Sequence, residues 1–179
     1  MPNMMKKEIA RAVETLLIEK KVQRLTVKDI VAECHITRQA FYYYFSGIPE
    51  LLQWILQQKE EAAMEDYHDL KHVEERIRYW LLIAVNSKDE LKKGMESNYA
   101  DEIAQMVFQR MKKIFSLIVE EDEVFQRLDS FEKDFLIQYN CYAVADLIRD
   151  WTEDDSRNLD RIVHCIYLFA TGKMVSACT

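Results

Sequence analysis

The chain has 179 residues, 49% of them hydrophobic and 31% charged, with a formal net charge of −7. That length and apolar content exclude a disordered chain and allow one compact domain, or two small ones sharing a helix. Three glycines and two prolines (Gly47, Gly94, Gly172, Pro2 and Pro49) leave too few turns for a β-sandwich, so the expected class is all-α.

Ile9, Val13, Leu16 and Leu17 recur at helical spacing and predict a first helix over about Met4–Lys21. The stretch from Leu25 to Leu52 then reads as a helix-turn-helix. Thr26 is placed to cap a short helix, and Asp29, three residues on, is placed to reach back to the cap's N–H. Val27, Ile30 and Val31 share that helix's inner face. After a break at Cys34-His35-Ile36, Thr37 is a second cap. Ala40, Phe41 and Tyr44 point inward on the helix that follows and leave Arg38, Gln39, Tyr42 and Tyr43 outside. Arg and Gln reach base edges or phosphates, and tyrosine hydroxyls donate to phosphate oxygens. The candidate DNA-binding set is therefore Thr26, Lys28, Thr37, Arg38, Gln39, Tyr42 and Tyr43.

Thr26, Val27, Ile30, Ala32, Ile36, Phe41, Tyr42, Phe45, Leu51 and Leu52 give this stretch a recognisable run: Thr-Val, a short helix, a turn, Phe-Tyr-x-x-Phe, then Leu-Leu. It resembles the N-terminal domain of the TetR family of transcriptional regulators, over roughly the first third of the chain. The resemblance implies a three-helix DNA-binding head over residues 1–50 and a helical effector-binding and dimerisation body over 51–179. Two positions depart from the family pattern. His35 stands where the family usually has a turn glycine. Ile48, followed by Pro49, stands where family members commonly carry a lysine that donates to a backbone phosphate, so a weaker phosphate clamp is expected. Residues 1–50 hold eight Lys/Arg against six Asp/Glu, about +2, which leaves −9 of the net −7 on the remainder. Such asymmetry suits a DNA-facing head on an acidic body, because binding depends on charge near the phosphates.

A longer helix is expected from Glu50 to about His68, with Leu51, Leu52, Ile55 and Leu56 holding it to the head. Arg76–Val85 is apolar nearly all round and reads as a buried helix. Ser87-Lys88-Asp89-Glu90 has the capping-box pattern, and Gly94 and Asn98 bound a short helix after it. Another helix is expected over Tyr99 to about Glu120, with the acidic run Glu120–Glu123 as a solvated turn. The middle helices hold Tyr79, Trp80, Met95, Tyr99, Met106, Phe108, Met111 and Phe115. Methionines and aromatics of this kind build an ordinary core or line a cavity. The resemblance implies a pocket for a small apolar or aromatic effector, lined by Tyr79, Trp80, Met95, Tyr99, Met106, Met111 and Phe115.

Two last helices are expected over about Ser130–Trp151 and Ser156–Met174, separated by Thr152–Asp155. Leu159, Ile162, Val163, Ile166, Tyr167, Phe169 and Ala170 form a wide apolar face, and Ala143, Ala145 and Gly172 permit close approach of helices. Surplus apolar surface points to a partner. By the resemblance these two helices pair with their copies in a homodimer through Tyr142, Ala145, Arg149, Ile162, Ile166, Phe169 and Ala170.

Cys34, Cys141, Cys165 and Cys178 show no metal-ligand rhythm, and no base beside Cys178 would activate its thiol. His68 and His72 are four apart, but without a third ligand they read as a solvated face, so neither metal nor cofactor is expected. No apolar run approaches the ~18 residues of a membrane span, and no signal-peptide layout opens the chain, which predicts a cytoplasmic protein. A phosphate-cradling glycine loop and a nucleophile motif are both absent from the sequence, so an enzyme is not expected. The function expected is a homodimeric regulator, a repressor, that binds a double-stranded DNA operator under effector control. The rival is a TetR-like protein-interaction subunit or co-regulator with weakened DNA binding, suggested by Ile48, Pro49 and the modest basic balance.

Overall fold

The computed structural model describes residues 2–121 and 123–171, and the regular elements among them are all helical. In chain order they are α1 (Pro2–Glu14), α2 (Val27–Glu33), α3 (Arg38–Tyr44), α4 (Ile48–Tyr67), α5 (Val73–Asn86), α6 (Lys88–Met95), α7 (Ala100–Glu121), α8 (Ser130–Arg149), α9 (Glu153–Arg157) and α10 (Leu159–Thr171). A π-helical turn, Thr15–Glu19, carries α1 onward, so the predicted first helix exists but changes its winding before Lys20. Gly172, Met174 and Cys178 lie outside the described residues.

The helices form two compact units. One holds the chain up to Met64 together with Asp89–Val107, and the other holds Glu65–Lys88 and the chain from Phe108 onward. In the first unit, the head, Ile9, Val13, Leu16, Leu25, Ile30, Phe41, Phe45 and Leu51 are buried against one another, and Ile103 of α7 joins them. In the second, the body, Val73, Ile77 and Leu81 of α5 pack with Ile137, Cys141 and Val144 of α8 and with Val163 and Ile166 of α10. The head's core thus recruits α6 and the first part of α7, well beyond residue 50.

Several local expectations change in the folded chain. α5 starts at Val73, where the Glu75 carboxylate accepts from the His72 N–H at 3.1 Å, and only one of its faces is fully buried. Ser87 ends α5 in helical geometry, and Glu90, its expected capping partner, is ion-paired with Lys59. The presumed linker Thr152–Asp155 is itself a helix start. Thr152 accepts from the Asp155 N–H at 3.2 Å, while the Asp155 carboxylate accepts from the Thr152 N–H at 2.8 Å. The last predicted helix is therefore two, α9 and α10, broken at Asn158.

Candidate nucleic-acid interface

Two capped helices and a strained turn build the outer face of the head. Thr26 accepts from the Asp29 N–H at 3.3 Å and starts α2. The Asp29 carboxylate accepts from the Thr26 hydroxyl at 2.5 Å, in place of the backbone N–H that the spacing predicts. At the end of α2 the chain reverses through a Schellman turn: Ile36 N–H donates to Val31 O at 3.0 Å and His35 N–H to Ala32 O at 3.4 Å. His35 occupies the left-handed position with φ 55°, the conformation that glycine adopts freely and a side chain resists. Thr37 then accepts from the Ala40 N–H at 3.1 Å and opens α3.

α3 is only seven residues long, and its direction is fixed by what it buries. Phe41 is fully enclosed, and Phe45 follows in extended geometry and is buried too, their rings 6.1 Å apart. Arg38, Gln39, Tyr42 and Tyr43 are left on the exposed side, Tyr43 with 80% of its surface in solvent. The two outward tyrosines are braced by inward neighbours. Tyr42 meets the Phe41 ring edge-on at 5.4 Å, and Tyr43 meets Tyr44 at 5.0 Å. Lys28 and Thr37 are exposed and Thr26 is half-buried.

The α4 start differs from the sequence expectation. Ile48 is 2% exposed and belongs to the head's core, so it is a packing residue and not a surface position from which a cation has been lost. The group that meets this helix start is Glu50. One of its carboxylate oxygens accepts from both the N–H and the hydroxyl of Ser46 at 2.7 Å. These two bonds, with Lys6 nearby, hold the Glu50 carboxyl below the ordinary carboxylate range. The chain thus places a carboxylate of its own at this helix start, bonded to the Ser46 N–H and hydroxyl just ahead of it.

The residues expected to line an effector pocket are divided between two cores. Tyr99 and Met106 pack against the head's core, Met111 and Phe115 against the body's, and Met95 is exposed. Tyr79 and Trp80 stand together on α5 with ring centroids 5.6 Å apart, and Tyr67 approaches Trp80 at 5.9 Å. The Trp80 indole N–H is buried and meets no acceptor among the described residues.

The expected dimer residues also divide. Ile166, 8% exposed, lies in the body's own core, and the half-buried Ile162 and Ala170 pack against that core. Ala145 is half-buried. Tyr142, Arg149 and Phe169 are exposed, Arg149 paired with Asp146 at 2.9 Å. The sequence reading passed over Phe131, Phe135 and Tyr139, which with Tyr142 form an exposed aromatic stripe on the side of α8 away from Ile137, Cys141 and Val144. The i, i+4, i+8, i+11 spacing of these aromatics was a signal available in the sequence.

No helix among the described residues is long and apolar enough to cross a membrane, and no group of three or more His, Cys, Asp or Glu among them is placed to hold a metal ion. Residues 9–55 match the model of the family "Bacterial regulatory proteins, tetR family". Over 155 residues the chain is 25% identical to the HTH-type dhaKLM operon transcriptional activator DhaS of Lactococcus lactis subsp. lactis (strain IL1403), covering 80% of this chain and 77% of that protein. The solved structure of a dihydroxyacetone kinase operon activator DhaS has the same fold, with a TM-score of 0.59 at 20% identity over 94% of this chain and 95% of the other. Residues 9–55 therefore carry a helix-turn-helix domain of the tetR family, and the chain is similar in sequence to a transcriptional activator over most of its length.

Proposed function

We propose that the chain acts as a homodimer that binds a double-stranded DNA operator through the exposed side of α3, under the control of a small effector bound in the body. The observation that carries the DNA reading is the set Arg38, Gln39, Tyr42 and Tyr43, turned to solvent on a helix whose other side is locked by Phe41 and whose start is capped by Thr37. Two such helices must lie about one helical turn apart, ~34 Å, to read both half-sites, so small body motions change affinity.

A duplex selected from random sequence by the full-length protein tests the reading. Arg38→Ala should weaken binding to it at fixed salt by about tenfold while leaving the melting temperature unchanged, as expected for loss of a base or phosphate contact worth ~1–3 kcal/mol. Equal affinities would overturn the assignment of α3.

For the dimer, the supporting surface is the exposed stripe Phe131, Phe135, Tyr139 and Tyr142 on α8, with Phe169 on α10. For the effector, it is the aromatic group around Trp80, whose buried N–H is a donor with no acceptor among the described residues. Repression is the sequence-based expectation, but the relative that is 25% identical is a transcriptional activator, which favours activation here. A promoter–reporter fusion reads the sign: loss of the protein lowers expression if it activates and raises it if it represses. Glu50 at the α4 start favours a second reading, a co-regulator with weak DNA affinity of its own, for which the selected duplex would bind only at low salt.

A further inference from the structure

The loop that leads into the helix-turn-helix is held by one distant residue. Asn98, between α6 and α7, accepts from the Leu25 N–H at 2.7 Å through its side-chain oxygen and donates from its amide nitrogen to Leu25 O at 3.4 Å. Its own backbone N–H donates to Gln23 O at 3.1 Å. Leu25 is enclosed in the head's core, and the next residue, Thr26, is the cap that starts α2. A shift of Leu25 is therefore a shift of α2, and α2 and α3 turn on one Schellman motif.

Asn98 is itself fixed. The buried Ser97 hydroxyl donates to Gly94 O at 2.6 Å and accepts from the Tyr99 N–H at 3.2 Å, which sets the bend between α6 and α7. Gly94 lies so close to Ile103 that an added Cβ would stand 3.1 Å from the Ile103 Cδ1, and Ile103 is part of the head's core. This segment, Asp89–Val107, belongs to the head's compact unit, yet it continues into body residues at both ends. At its leading end, the Lys88 ammonium donates to Trp151 O at 2.6 Å within the body.

We propose that Asn98 is a positioning residue for DNA binding. Through its three bonds, the segment 89–107 sets the placement of the 23–25 loop, and with it the presentation of α3. The inference rests on the reading of α3 as the DNA-binding helix. It is tested with full-length protein on the selected duplex, measuring affinity across a salt series for wild type and Asn98→Ala, with hydrogen exchange of the Leu25 amide as a second measurement. Asn98→Ala should lower affinity about threefold to tenfold, leave the slope of log affinity against log salt unchanged, and speed exchange at Leu25. A merely structural bond would speed exchange and leave affinity as it was, which would overturn the proposal. A slope reduced by about 0.9 per phosphate would make Asn98 a direct phosphate contact and overturn it as well. Wild-type protein that binds no duplex would instead overturn the DNA reading of α3, and this role with it.

Discussion

His35 holds φ 55° because the α2–α3 reversal requires a left-handed residue there, and its Cβ makes that conformation costly. His35→Gly should therefore stabilise the head by about 0.5–1 kcal/mol, the strain relieved less the entropy that glycine adds to the unfolded chain. Equal denaturation midpoints for the two proteins would show that the turn stores no such strain. The cysteines give a second test at this scale. Burial, followed by the charges of Glu33 and Glu8, pushes the Cys34 thiol up to about 11, and burial pushes that of Cys141 up to about 11 as well. Thiolate is the reactive form, so in the native protein at pH 8 iodoacetamide should label the exposed Cys165 well before either of these. Mass spectrometry of a time course reads the order, and rapid labelling of Cys141 would contradict the burial seen here.

The beginning of α4 shows how an element's cap bears on function. Glu50 satisfies Ser46 and is held ionised below the usual carboxylate range. A lowered folded-state pKa means that the group contributes stability above its unfolded pKa and loses it as pH falls through the folded one. Glu50→Gln should accordingly lower the urea midpoint slightly at pH 7, with wild type and variant converging in acid. The same substitution removes one negative charge per subunit from the helix start beside α3. Operator affinity should rise at low salt and approach the wild-type value at high salt. If the affinities match at low salt, the α4 start stands away from the duplex.

For the molecule as a whole, the distinction that matters is between apolar groups buried inside the subunit and those left exposed. Ile166 packs in the body core, so Ile166→Asp would bury an unpaired charge and destabilise the subunit itself by about 3 kcal/mol or more. Phe135 is 64% exposed and stacks on Tyr139 with centroids 6.4 Å apart. If the proposed homodimer forms through this stripe, Phe135→Asp should leave the melting temperature of the subunit nearly unchanged and shift sedimentation from dimer to monomer, because in a two-fold contact the charge appears on both sides. A dimer that persists in Phe135→Asp would move the interface away from the α8 stripe.

Features closed within a few residues were legible in the sequence. Thr26 and Thr37 are caps because their hydroxyls need reach only three residues on, and Phe41 turns inward because helical periodicity opposes it to Gln39 and Tyr43. The same locality made the all-α class and the outward set on α3 readable before any coordinates. Tertiary structure alone decided the rest. Whether an isoleucine such as Ile48 or Ile166 is core or surface depends on which other helices arrive, and apolar character is the same in either case. It also decided that Asn98 would bond to Leu25, 73 residues away, since a contact between two loops leaves no periodicity in the chain. Local hydrogen bonding is written in short spacings, whereas burial and loop-to-loop bonds exist only after distant segments have packed.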